Sequence, residues 1–226
     1  MAPIDVDVIV FDVLGTLVDE AAGLRSAVEQ CAPGADPTTA AGLVAVWQQH
    51  VAVEQERIIA GGRAFAPSSV LDAEAATVVA RRAGIDDPGQ LQLLAAASTR
   101  LPPWPDSAQG LARLAERRPV IGLSNADRST LLRLDAHAGL RWHLALSAED
   151  AATYKPDPAV YRLALTAAAV APDRVLMVAA HAWDLRGAAA LGMRTAYVER
   201  PGGDPPAGTD RFDLHTTGLA DLADRL

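Results

Sequence analysis

The feature that most restricts the fold of this chain is a series of short apolar runs, several of which lead into a polar side chain. Residues 6–11, VDVIVF, are rich in β-branched side chains, have the length of a strand rather than a helix, and are followed at once by Asp12. Similar runs recur at 119–123, 144–146, 175–180 and 194–198. Between most of them lie stretches with helical spacing, such as 107–118 and 158–171. A helix between two strands returns the chain in the same direction, and such crossovers are right-handed. The pattern therefore predicts an α/β chain with a doubly wound parallel sheet.

The rhythm breaks once. Residues 18–100 separate the first run from the second and are almost wholly helical in pattern and alanine-rich. They are expected to form a helical cap inserted into a Rossmann-like core made of residues 1–17 and 101–226. Leu101 to Asp106, LPPWPD, is a proline-rich return to the core, while Gly61-Gly62 and Ala66-Pro67 interrupt the cap helices. Residues 201–208 read as a surface loop.

Composition narrows the partners. The 226 residues, 50% hydrophobic, can bury a sizeable core. With 28 acidic against 20 basic side chains the net charge is -8, which disfavours attraction to phosphate backbones or anionic lipid, so neither nucleic acid nor a membrane is expected as a partner. The first residues carry acids rather than a basic cluster and run straight into the first strand, so no signal peptide is expected and the chain reads as cytoplasmic. The single cysteine, Cys31, leaves no internal disulfide or multi-thiolate metal site and is compatible with a reducing compartment. His50, His137, His143 and His215 show no metal-ligand spacing.

In an open α/β sheet, ligands bind beyond the carboxyl ends of the strands. Four runs bring polar groups to that edge: Asp12 after the first, Ser124-Asn125 after the second, Lys155 downstream of the third in TYKPDP, and His181 with Asp184 after the fourth in VAAHAWD. Each has an ordinary structural reading when taken singly. Asp12 and Ser124-Asn125 can be turn or capping residues, Lys155 a surface charge, and Asp184 the cap of a helix over 185–191. Their arrival at one edge in a fixed order points to chemistry instead.

FDVLGTLVD (11–19), LSNAD (123–127), YKPDPAVY (154–161) and VAAHAWDLRGAAALGMRTAYVER (178–200) resemble, in order, the four motifs of the haloacid dehalogenase superfamily. They cover the core on both sides of the cap, in which little can be matched. Phosphatases of that superfamily carry DxDGT, whose second Asp protonates the leaving alkoxide; Leu14 stands there in this chain. Halide is the anion of a strong acid and needs solvation rather than a proton, so Leu14 favours halide departure. Those phosphatases also place two acids in the fourth motif to hold Mg²⁺, whereas here Ala180 takes the first place and only Asp184 remains. That is too few oxygen ligands for a near-octahedral site, and neither a metal nor another cofactor is expected.

Within the superfamily the chain is most similar to the hydrolytic L-2-haloacid (type II) dehalogenases, keeping Asp12, Gly15, Thr16, Ser124, Asn125, Lys155, Tyr161, Trp183 and Asp184. The resemblance implies that Asp12 attacks the halogen-bearing carbon of a small anionic 2-haloacid and forms an aspartyl ester that water then hydrolyses. Lys155 would hold Asp12 charged and oriented, Ser124 and Asn125 would hold the substrate carboxylate, and Thr16 would hydrogen-bond near the nucleophile. Tyr161 would shape the polar cluster, Trp183 would line the pocket with Leu14, and Asp184 would orient Lys155 or take a proton from water.

Three departures accompany the match. Ala179 and His181 replace the family's serine and asparagine before AWD, so His181 would stand in for the amide or act as a base. Gln48, after Trp47, occupies the place of the arginine that receives the halide, with Arg57 and Arg63 as candidate replacements. Two alternatives stay open: a Mg-dependent phosphomonoester hydrolase using His181 as proton donor, and a catalytically silent metabolite-binding member of the fold. Apolar stripes on the cap could serve a homodimer or bury against the chain's own core.

Overall fold

The computed structural model describes residues 4–226, so the first three residues of the expected core segment lie outside the described residues. Six parallel strands, β1 (Val8–Phe11), β2 (Val120–Ser124), β3 (Leu144–Ser147), β4 (Val175–Ala179), β5 (Arg194–Val198) and β6 (Leu214–Thr216), form one sheet in the order β3-β2-β1-β4-β5-β6. The chain winds outward from β1 to β3, then returns to the other side of β1 as β4. This doubly wound α/β order matches the expectation and sets a topological switch point between β1 and β4, where an open sheet leaves a crevice.

Burial on both faces explains why VIVF is continuously apolar. Val8 and Val10 enter the cluster holding Tyr161 and Met177, while Ile9 and Phe11 enter the opposite cluster with Leu111 and Val178. Strand side chains alternate between faces, so a strand covered on both sides has no polar positions. β6 has no such signature: it is a three-residue edge strand with His215 exposed between buried Leu214 and Thr216. The helix expected over 107–118 is α5 (Ser107–Ala115) in the chain-order numbering used below, and that over 158–171 is α7 (Pro158–Ala168).

Between β1 and β2 stand α1 (Glu20–Cys31), α2 (Pro37–Ile59), α3 (Ser68–Ala83) and α4 (Pro88–Ala95). Three of these begin on a local aspartate: Asp19 accepts from the Ala22 amide at 2.9 Å, Asp36 from Thr38 at 2.8 Å, and Asp87 from Gln90 at 2.8 Å. Each cap contributes about 1 kcal/mol. α3 begins differently, because its N-cap, Pro67, has no side-chain acceptor. The Ser69 amide instead donates to Asp127 Oδ2 at 2.7 Å, and Asp127 also caps α6 (Arg128–Ala138) by accepting from Thr130 at 2.9 Å. Burial works against a charge on Asp127, but these hydrogen bonds hold its carboxyl below the usual range. One core carboxylate thus anchors the start of α3. No helix among the described residues is long and apolar enough to cross a membrane.

Candidate active site

β1 ends by presenting Asp12, which is 6% exposed. The chain then turns through Gly15, at φ 77°, and returns Thr16 beneath it. Thr16 Oγ1 donates to Asp12 Oδ2 at 2.7 Å and accepts from the Ala180 amide at 2.9 Å, which ties the turn to the end of β4. Lys155 Nζ donates to Asp12 Oδ1 at 3.0 Å and to Asp184 Oδ2 at 2.8 Å. Its backbone amide donates to Asn125 Oδ1 at 2.9 Å, so the loop carrying the lysine is fastened to the end of β2. Tyr161 completes the cluster by donating to Asp184 Oδ1 at 2.6 Å. Asp184 lies within the first turn of α8 (Ala182–Ala189) and its carboxylate turns inward instead of capping the helix.

Burial governs the electrostatics here. It works against the Lys155 charge, but Asp12 and Asp184 outweigh it and hold the ammonium pKa above its ordinary value. Burial pushes the Asp184 carboxyl up, with Lys155 opposing and Asp12 adding to the rise. The Tyr161 hydroxyl is raised by burial and by Asp184, so it remains a donor.

Asp12 lies on the floor of a cavity of about 200 Å³, beside Leu14, Asn125, His181 and Trp183. The opposite wall comes from α1, α2 and α3 and includes Glu20, Trp47, Gln48 and Asp72. This volume suits a small molecule, being below the usual range for drug-sized ligands. Of the sequence candidates, Asp12, Leu14, Gln48, Asn125, His181 and Trp183 line the cavity. Thr16, Lys155, Tyr161 and Asp184 lie behind it, where they hold Asp12 or one another. Ser124 is fully buried with its Oγ accepting from the Ala126 amide at 3.0 Å, outside the lining. Neither candidate arginine reaches the cavity: Arg57 pairs with Glu54 at 2.9 Å, and Arg63 bridges Glu54 at 2.6 Å and Glu74 at 2.7 Å.

His181 Nε2 lies 3.2 Å from the Leu14 carbonyl, and its ring stacks on Trp183 with centroids 5.8 Å apart. A carbonyl only accepts, so Nε2 carries the hydrogen in that contact and Nδ1 is the nitrogen left with a lone pair. A Cβ on Gly15 would come within 2.5 Å of His181 Nε2, at a backbone angle that strains an L side chain. Gly15→Ala is therefore expected to cost about 1–3 kcal/mol and to displace the imidazole. Urea unfolding checks the first effect. A fall in kcat larger than the rise in KM checks the second.

The segment expected as a surface loop is also part of the support. The Ala182 amide donates to the Asp204 carbonyl at 2.9 Å, the Trp183 amide to Asp204 Oδ2 at 3.0 Å, and the Asp204 amide to the Ala180 carbonyl at 3.0 Å. Arg200 Nε donates to the Thr16 carbonyl at 3.0 Å. Nothing in the local pattern marks these two residues, because their partners come from distant turns.

Glu20 and Asp72 are the other residues that sequence reasoning missed. Gln48 Nε2 donates to Glu20 Oε2 at 3.4 Å, and burial raises the Glu20 carboxyl, with His181 opposing. Asp72 is 7% exposed and is pushed up to about 7, first by burial; Ser98 and Trp47 oppose the rise, while Glu20 and Asp127 add to it. A carboxyl raised by folding stabilises the protonated fold, and that stability is lost as pH climbs from about 4 through the folded value. Asp72→Asn is thus expected to raise stability at pH 8 by up to about 4 kcal/mol, with the gain shrinking towards pH 4. Thermal melts at the two pH values measure the difference, and a pH-independent gain would refute this account.

The cluster does not fit a magnesium ion. The Lys155 ammonium sits between the two carboxylates, where it would repel a second cation, and Asp184 is fully buried outside the cavity lining. No group of three or more His, Cys, Asp or Glu side chains among the described residues could hold a metal ion.

Comparisons with known proteins assign the chain to a family and a fold. The family model for haloacid dehalogenase-like hydrolases matches residues 6–192. An (S)-2-haloacid dehalogenase of Pseudomonas putida is 31% identical over 199 residues, which is 86% of each chain. A defluorinating L-2-haloacid dehalogenase of known structure superposes with a TM-score of 0.88 at 33% identity, covering 98% of this chain and 95% of its own. An L-2-haloacid dehalogenase from Xanthobacter autotrophicus, solved with chloropropionic acid covalently bound, gives a TM-score of 0.83 at 27% identity over 97% of each chain.

Proposed function

The chain belongs to the haloacid dehalogenase-like hydrolase family, and from that premise we propose that it releases halide from small 2-haloacids with Asp12 as the nucleophile. The observation that carries this reading is an aspartate whose two oxygens are held by Lys155 and Thr16 on the floor of a small cavity. An oxygen so held keeps a second lone pair for attack, and its orientation is prepared before substrate arrives.

One Asp12 oxygen attacks the halogen-bearing carbon. The carbon-halogen bond breaks, its electron pair leaves with the halide, and an aspartyl ester remains. Helices α1 to α4 act as the cap that keeps water from competing with the carboxylate at this stage. Water adds to the ester carbonyl as His181 Nδ1 takes one of its protons; the bond between the acyl carbon and the substrate oxygen then breaks, that oxygen takes the proton back from His181, and the 2-hydroxy acid leaves with the Asp12 carboxylate restored. Asp184 is fully buried with both oxygens engaged, so it orients Lys155 and leaves the proton to His181. Phosphoester hydrolysis is disfavoured, since Leu14 stands where an acid would protonate the leaving alkoxide and the Lys155 ammonium holds the place between the carboxylates.

The test is halide release from chloroacetate and each 2-chloropropionate enantiomer with EDTA present, in ¹⁸O water over many turnovers, beside phosphate release from a phosphomonoester with magnesium. Halide release with ¹⁸O entering the Asp12 carboxylate is expected. Magnesium-dependent phosphate release without halide would overturn the proposal.

A further inference from the structure

The cavity is unusual in its charges. Its lining contains the carboxyls of Asp12, Glu20 and Asp72, and among the described residues neither a lysine nor an arginine lines it. The nearest ammonium, Lys155, lies behind Asp12 and is shared with Asp184. An entering carboxylate therefore meets like charge on both the floor and the opposite wall, with no cation to offset it.

Asp72 is the wall group that can change this balance. It projects from α3 into the cavity, is more than nine-tenths buried, and has no ion-pair partner among the described residues. The groups around it come from every neighbouring element. Ser98 faces it from the turn at Ala97–Arg100, the Trp47 indole from α2, Glu20 from α1, Asp127 from the start of α6, and the Tyr154 hydroxyl from the loop before α7. Two of these are acids and none is a cation, so its ionised form is opposed from several sides while its protonated form is a donor that suits an anion. Glu20 is less decisive: burial raises its carboxyl too, but His181 opposes the rise and Gln48 is already hydrogen-bonded to it.

We propose that Asp72 sets the charge of the ligand this cavity accepts: with a proton on its carboxyl the cavity takes a carboxylate, and with that proton lost it excludes one. The inference rests on the haloacid reading and deepens it, because it makes a solvent proton a partner in substrate binding. The proton comes from water and remains on the Asp72 carboxyl, and no substrate bond changes in the step. Since burial lifts this carboxyl to about 7, the exchange falls within ordinary buffer conditions.

Propionate, which has no halogen and cannot turn over, is the probe. Its binding to the full chain is measured by calorimetry at pH 6 and pH 8 in buffers of different ionisation enthalpy, with propionamide as the neutral control. The wild type is expected to take up about one proton per propionate at pH 8 and to lose affinity roughly tenfold per pH unit above 7, with propionamide indifferent to pH. Asp72→Asn is expected to bind propionate without proton uptake and with a flat profile, and Asp72→Ser serves as a second variant should the first fail to fold. Equal propionate affinity at pH 6 and pH 8 in the wild type would overturn the proposal, as would wild-type proton uptake persisting in the variants, or no binding at pH 6. Proton-linked propionate binding without halide release from any haloacid would remove the haloacid reading and leave the role of Asp72 standing.

Discussion

Asp12→Asn is expected to lower halide release from 2-chloropropionate by about 10⁴-fold or more, on the scale seen when an enzyme's nucleophile is removed. The same change is expected to leave the fold as stable as before or more so. Lys155 now balances two carboxylates, Asp12 and Asp184, and the variant would leave one buried ammonium facing one buried carboxylate. The amide oxygen at the position of Oδ1 still accepts from Lys155, and its Nδ2 then donates to Thr16 Oγ1, which changes from donor to acceptor. A melting temperature at or above that of the wild type, together with lost turnover, would separate a chemical role from a structural one. Residual activity within tenfold of the wild type would remove Asp12 from the mechanism.

Lys155→Met should show the opposite combination, losing both activity and fold stability. Taking away the ammonium leaves Asp12 and Asp184 buried near each other with no cation, and an uncompensated buried charge typically costs about 3–5 kcal/mol. The sign of the pH effect follows from Asp184, whose carboxyl burial already raises; without Lys155 it rises further. The variant's deficit should therefore be smaller at pH 5 than at pH 8. In the wild type, the Lys155 ammonium, held above its ordinary pKa, contributes stability that is lost only as the pH climbs into the alkaline range. Urea unfolding at pH 5 and pH 8 measures both effects. A loss below about 1 kcal/mol at pH 8 would mean that the cluster is more hydrated than drawn.

The polar groups at the sheet edge were legible because each stands beyond an apolar run whose period identifies a strand. Asp12, Asn125, Lys155 and His181 reach one edge because the crossovers bring all the strands parallel. The assignment behind the cavity was harder to read. Ser124 and Asn125 are adjacent in sequence, yet one is buried against its own helix start and the other faces the cavity. Arg57 and Arg63 were reasonable sources of positive charge by helical spacing, but acids on α2 and α3 hold them away from the cavity. β6 escaped notice because three residues with one polar position carry too little periodicity to identify a strand.

The sequence by itself determined the doubly wound architecture, the helical stretch between the first two strands, and the aspartate at the switch point. Those depend on local periodicity and on motif spacing along the chain. Tertiary structure alone decided that Asp127 caps a helix that begins 59 residues earlier, that Asp204 steadies the turn carrying His181, and that Glu20 and Asp72 face the cavity. An acid on a helix reads the same whether it meets water or a closed pocket. The rotation and packing of that helix against its neighbours determine which it meets, and with it whether the carboxyl carries a proton.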